Sequence, residues 1–300
     1  MKAEKRFQNG EIIFKEGDIG TSFFQIIEGT VEVISGYGSD KERSLTELSA
    51  GDFFGEMAVI EAYPRSNTVV AKDNALVVEI PENELNSYFA ENPGMILKIM
   101  NHLGKRIKEL TADYDAVASA LKEVRASQDK KSDSIFAKIK KYIDDISSSK
   151  IDLTKPSAEA LRQASESVKG KASGAVESYK KGTVIFKEGE IGKCMYIVYG
   201  GDVGIYSNYG AANQIKLTDI YPVACFGEMG MIAGDPRSAT AVTETDETFV
   251  EIINPEDLEE LFRTTPVKVE MILKHLSYRL RMLTYDYLTA CKEINELFNS

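Results

Sequence analysis

One segment of this chain occurs twice, 172 residues apart, and that repetition limits what the rest can fold into. Phe54-Gly55-Glu56-Met57 with Pro64-Arg65-Ser66-Asn67-Thr68 returns as Phe226-Gly227-Glu228-Met229 with Pro236-Arg237-Ser238-Ala239-Thr240. The flanks keep the same spacing. Phe14-Lys15-Glu16-Gly17, Ile19 and Gly20 match Phe186-Lys187-Glu188-Gly189, Ile191 and Gly192, and Glu79-Ile80 match Glu251-Ile252. Beyond a one-residue insertion near Pro81 and Asn254 the spacing becomes 173, with His102, Leu103, Arg106, Leu110, Thr111 and Tyr114 matching His275, Leu276, Arg279, Leu283, Thr284 and Tyr287. Self-similarity on this scale means two copies of one folding unit.

Within each copy the hydrophobic period changes once. Short β-rich runs come first: Ile12 to Phe14, Phe23 to Ile27, Val31 to Ile34, Leu45 to Leu48, Thr68 to Ala71 and Leu76 to Ile80, separated by Gly-centred turns. The same order recurs from Val184 to Ile253, and such spacing predicts an antiparallel sandwich or barrel. Then Ile96, Met100, Leu103, Ile107, Leu110, Tyr114, Val117, Leu121 and Val124 follow in alternating steps of four and three, the seam of a long helix. Val269, Leu273, Leu276, Leu280, Leu283, Tyr287, Ala290, Ile294 and Leu297 fill every matching position. The chain therefore divides into a first domain with its trailing helix over 1–126, a helical connector over 127–177 and a second domain with its helix over 178–300. In the connector, Ile135, Ile139, Tyr142, Ile143 and Ile146 predict one amphipathic helix, and a second is expected from near Pro156 toward Tyr179. The matched seams favour pairing of the two long helices within one chain over a homodimer through like helices.

Composition removes several function classes. A net charge of -11 argues against nucleic acid as a partner, since that needs a dense basic face. The chain ends at Ser300 on the second helix, so no helix-turn-helix is expected after it. There is neither an apolar run long enough for a membrane span nor an apolar leader, and three scattered cysteines form no metal or disulfide pattern; the reading is a cytoplasmic protein. No nucleophile elbow, Walker loop or zinc motif is present, so no enzyme activity and no cofactor or metal are expected. The two histidines, His102 and His275, fall off the helical seam and do not suggest haem.

The repeated segment carries the chemistry. A core strand has use for Phe54 and Met57, but none for a Glu and an Arg nine residues apart in both copies. A Gly-Glu pair opening a short helix offers unpaired backbone N–H groups to an anion. The planar arginine fork suits a phosphate, and the Glu, which can only accept, suits a sugar hydroxyl. Phosphate held beside a ribose hydroxyl is the geometry of a cyclic nucleotide.

The segment Phe-Gly-Glu-x-(Ala/Gly) followed by Pro-Arg-Ser-x-Thr resembles the phosphate-binding cassette of cyclic nucleotide-binding domains. These occur in bacterial regulators of the catabolite-activator and Fnr type, protein kinase A regulatory subunits and gated channels. The resemblance covers residues 7–125 and 178–298 and implies two double-stranded β-helix (jelly-roll) barrels, each followed by its helix. It implies ligand contacts from Phe54, Gly55, Glu56, Met57, Ala58, Arg65, Ser66 and Asn67, and from Phe226, Gly227, Glu228, Met229, Gly230, Arg237, Ser238 and Ala239. Thr111 and Thr284 are candidate purine contacts. Asn67 stands where the family has a small Ala, and Gly230 where Ala is usual, so the second site is expected to be the stronger. The function implied is a receptor for cAMP or cGMP that signals through its helices to a separate protein effector. The alternative is an interaction scaffold of the same fold that has lost the nucleotide.

Overall fold

The structure, a computed structural model, describes residues 3–40, 42–56, 65–92, 94–126, 139–143, 155–172 and 175–299. It falls into two compact units. The first comprises Met1–Tyr88, Ile107–Pro156 and Arg279–Ser300, and the second comprises Phe89–Arg106 and Ser157–Tyr278.

The first unit begins with strands β1 (Ala3–Phe7), β2 (Ile12–Phe14), β3 (Ser22–Glu28), β4 (Thr30–Ser35), β5 (Arg43–Ser49), β6 (Phe53–Phe54), β7 (Thr68–Ala71) and β8 (Ala75–Pro81). They form two antiparallel four-stranded sheets, ordered β1-β8-β3-β6 and β2-β7-β4-β5. In the second unit β9 (Val176–Tyr179), β10 (Val184–Phe186), β11 (Met195–Gly200), β12 (Val203–Ser207), β13 (Ile215–Ile220), β14 (Ala224–Phe226), β15 (Thr240–Thr243) and β16 (Thr248–Ile253) repeat this as β14-β11-β16-β9 and β10-β15-β12-β13. Each unit thus has a jelly-roll-like pair of sheets. Apolar side chains from both sheets fill the space between them, Phe24, Ile26, Val31, Phe54 and Val69 in one core and Tyr196, Val198, Val203, Phe226 and Ala241 in the other. On β4 the buried residues are Val31 and Ile34, three apart, and a bulge between Val33 and Ile34 turns both inward.

The helices are α1 (Leu85–Glu91), α2 (Gly94–Ala126), α3 (Glu159–Val168), α4 (Glu228–Ala233), α5 (Asp257–Thr264) and α6 (Pro266–Asn299). Pro266 opens α6, where its fixed φ and missing N–H cost nothing. Of the eighteen seam positions all but Leu110, Tyr114, Leu283 and Leu297 are buried. In the first unit Val117, Leu121 and Val124 of α2 share one apolar cluster with Tyr287, Leu288, Ala290, Cys291 and Ile294 of α6. Ile139 joins the same cluster, and the Tyr142 ring meets Tyr287 edge-on at 6.5 Å. No helix among the described residues is long and apolar enough to cross a membrane.

The connector differs from expectation. Residues 139–143 are helical, while Ile135 and Ile146 lie outside the described residues. The second connector helix, α3, does not run toward Tyr179: it ends at Val168, followed by Gly170 at φ +73, and Val176–Tyr179 is instead the edge strand β9, paired with β16. A left-handed glycine ends a helix and releases the chain into an extended course.

Candidate functional site

In each unit the cassette follows an edge strand of its sheet. β6 ends at Phe54 and β14 at Phe226; next come Gly55 at φ +78 and Gly227 at φ +71. Both glycines hold the left-handed conformation that L side chains resist. In the second unit Gly227 leads directly into α4, whose first residue is Glu228. Glu56 and Glu228 are 4% and 2% exposed, and Arg65 and Arg237 are 6% and 5% exposed. Four charged groups are therefore sequestered at matched places, where burial is costly unless partners are built in.

For the two arginines the partners are largely backbone. Arg65 donates from Nη1 to the Gly55 carbonyl at 2.6 Å and from Nη2 to the Ser22 carbonyl at 2.5 Å. Arg237 repeats the pattern, Nη1 to the Gly227 carbonyl and Nη2 to the Cys194 carbonyl at 2.8 Å. One guanidinium face rests on a ring, with Arg65 Cζ 4.2 Å from the Phe14 centroid and Arg237 Cζ 4.2 Å from that of Phe186. The other arginine backbone atoms are tied to the Gly17 and Gly189 turns: Gly17 N donates to Arg65 O and Gly189 N to Arg237 O, each at 2.8 Å. Burial pulls the Arg65 guanidinium below its ordinary pKa, against the opposing pull of Glu56, Asp18 and Glu79. A guanidinium has five N–H donors, and these carbonyl bonds leave a second hydrogen on each terminal nitrogen of Arg65 for an anion, while Arg237 Nη2 also reaches Cys194 Sγ at 3.8 Å.

Several glycines contribute through the packing alone. Gly20 and Gly192 make room for the arginines: a Cβ on Gly20 would collide with the Arg65 guanidinium, and one on Gly192 would lie 2.5 Å from Arg237 Cζ. Their repetition was visible in the sequence; their purpose is visible in the packing. Gly230 has a similar basis, since a Cβ there would come within 2.9 Å of Arg237 Nη1 and 3.3 Å of Gly192 Cα. Glycine at this place lets α4 and the arginine close up.

The other singled-out residues are placed as follows. Ser66 and Ser238 are exposed, and the Asn67 amide donates to Ser66 Oγ at 3.4 Å. Ala239, the counterpart of Asn67, is buried, and Met229 follows Glu228 on α4. Met57 and Ala58 lie outside the described residues. Thr111 and Thr284 both belong to the first unit, and each hydroxyl donates back along its helix, to the Ile107 carbonyl at 2.7 Å and the Leu280 carbonyl at 2.9 Å.

The sequence profile of the cyclic nucleotide-binding domain matches residues 4–92 and 176–265. The chain belongs to that family. The chain is similar over 238 residues, at 22% identity, to a cAMP-dependent protein kinase regulatory subunit of Blastocladiella emersonii, covering 79% of this chain and 47% of that protein. Over 238 residues it is 24% identical to a cGMP-dependent protein kinase of Toxoplasma gondii, covering 79% of this chain and 18% of the kinase. A CRP-like cAMP-activated global transcriptional regulator of Mycobacterium tuberculosis is 26% identical over 102 residues, 34% of this chain and 46% of the regulator. The chain thus spans less than half the length of each of these curated relatives. Among solved structures, the regulatory domain of Toxoplasma gondii PKA with cAMP is 18% identical, with a TM-score of 0.28, over 91% of this chain and 84% of that one.

Proposed function

We propose that this protein is a receptor that binds cAMP or cGMP in both cassettes and passes occupancy through α2 and α6 to a separate protein partner. Residues 1–126 and 178–300 then act as the two binding repeats, joined by 127–177. The observation that carries the reading is the twinned, buried Glu–Arg pair on a left-handed glycine, with each arginine oriented by two carbonyls and a ring. In the first site Arg65, the Gly55 turn and Glu56 would hold phosphate and ribose hydroxyl, and in the second Arg237, Gly227 and Glu228. Thr111 and Thr284 are proposed to face the base. Nothing in the proposal calls on bond-breaking chemistry, and the role is regulatory.

Thermal shift tests it. A nucleotide at 100 times its Kd should stabilise its domain by about 2.7 kcal/mol, several degrees in Tm. Arg65→Glu together with Arg237→Glu should abolish the shift while the chain still melts cooperatively. A cooperative chain that no cyclic nucleotide shifts would instead act as a scaffold.

A further inference from the structure

Within the second unit the cassette helix rests on a glycine of the first repeat. Gly104 lies inside the 33-residue α2, and a Cβ built on it would be 2.6 Å from Ile232 Cγ2 and 3.4 Å from Ile232 Cβ. Both residues are buried. Glycine is disfavoured inside a helix, so its place here is explained by the close approach of α4 rather than by α2 itself. At the matching seat of α6, 173 residues on, the chain has Ser277.

This contact bears on the nucleotide site because of what α4 carries. Ile232 is β-branched on a helix, where one χ1 rotamer dominates, so it cannot swing away from an added methyl. The helix is six residues long and is bounded by left-handed glycines, Gly227 at φ +71 and Gly234 at φ +65. A short element between two such joints moves as a piece. Glu228 is its first residue, and the Gly227 carbonyl just before it accepts from Arg237 Nη1.

We propose that Gly104 of the first repeat is a positioning residue for the nucleotide site of the second. It does not touch ligand; its missing side chain sets how deep Ile232 seats, and hence where α4 places Glu228 and Gly227 against Arg237. Through the same contact, occupancy of the second cassette bears on α2. The proposal rests on the reading that this cassette binds a cyclic nucleotide.

Calorimetry with cAMP and with cGMP on the full chain tests it. In an Arg65→Glu background, which leaves the second site, Gly104→Ala should weaken binding about tenfold, a readily resolved change in Kd. In an Arg237→Glu background, which leaves the first site, it should change Kd less than about twofold. Ile232→Leu, which removes the Cγ2 branch at nearly constant volume, should restore the second site in the Gly104→Ala chain. Ile232→Ala, which vacates the seat rather than crowding it, is the second variant and should weaken the second site alone, whatever Gly104→Ala does to folding. A chain that binds nucleotide but shows no change at the second site, equal loss at both sites, or no rescue by Ile232→Leu overturns the proposal while leaving the binding function standing. Absence of heat with both nucleotides in the unmutated chain removes the binding function itself, and the positioning role with it.

Discussion

The Lys268 ammonium lies 2.9 Å and 2.8 Å from the two carboxylate oxygens of Glu251, and the side chains of both residues are sealed from solvent. The pair joins the start of α6 to β16, and the Tyr199 hydroxyl completes it by donating to Glu251 Oε2 at 2.8 Å. In the first repeat the matching Glu79 is held differently, by the Ser22 hydroxyl at 2.6 Å and Lys5 Nζ at 2.6 Å, and Met95 stands where Lys268 would be. Breaking a buried pair from one side leaves an uncompensated charge, whereas replacing both partners by apolar groups is often near neutral. Lys268→Met should therefore lower unfolding free energy by about 3–5 kcal/mol, and Lys268→Met/Glu251→Leu should recover most of it. Urea unfolding of Lys268→Met, Glu251→Leu and the double variant measures this; a double variant as unstable as the sum of its single changes would contradict it.

Asp286 on α6 provides a pH signature. Burial raises its carboxyl pKa above the ordinary value, with Lys155 opposing. A carboxyl raised in the fold binds its proton more tightly there than in the unfolded chain. Stability from this group is thus fully present below the unfolded pKa and is lost as pH rises through the folded one. Asp286→Asn should raise Tm at about pH 7, and the gain should vanish near pH 3, where the wild-type carboxyl is protonated in both states. Melts at the two pH values decide it. An equal gain at both would point to a cause other than ionisation.

The two sites should differ in affinity. Asn67 directs its amide at Ser66, the exposed hydroxyl next to Arg65, whereas Ser238 is followed by the small, buried Ala239. The chain retaining the second site, Arg65→Glu, is expected to bind cyclic nucleotide more tightly than the chain retaining the first, Arg237→Glu. Asn67→Ala should tighten the first site. The reverse ranking in titrations of the two single variants would refute this.

Pairing of α2 and α6 in the first unit predicts a monomer. With Val117, Leu121 and Val124 already packed on Leu288, Cys291 and Ile294, little of this seam is left for a second chain. Light scattering at micromolar protein should give a mass near 33.2 kDa, and a stable doubled mass would contradict the internal pairing.

Much of this architecture was legible in the sequence because repetition marked it. Six strands per barrel and both long helices announced themselves by period. The other two in each did not: β1 and β9, because Ala3–Phe7 and Val176–Tyr179 are exposed along nearly their whole length and join their sheets through backbone pairing with β8 and β16, and β6 and β14, because Phe53–Phe54 and Ala224–Phe226 are too short to show a period. The connector helix stops short of Tyr179 because Gly170, which lowers helix propensity only modestly, takes the left-handed turn that ends α3. At the site the Glu and Arg were readable from their spacing. The carbonyls of Ser22 and Cys194 were not, since a backbone acceptor leaves no trace in residue identity. Gly104 left a trace, a glycine inside a heptad helix, whose meaning needed Ile232 beside it.

Titration calorimetry of the intact chain with cAMP and cGMP tests the central claim most directly. The account predicts that at least one of them binds with two sites per chain, that Arg65→Glu and Arg237→Glu each remove one site, and that the double variant gives no heat while retaining a cooperative melt. No heat from either nucleotide in the intact chain, or undiminished heat in the double variant, would contradict it.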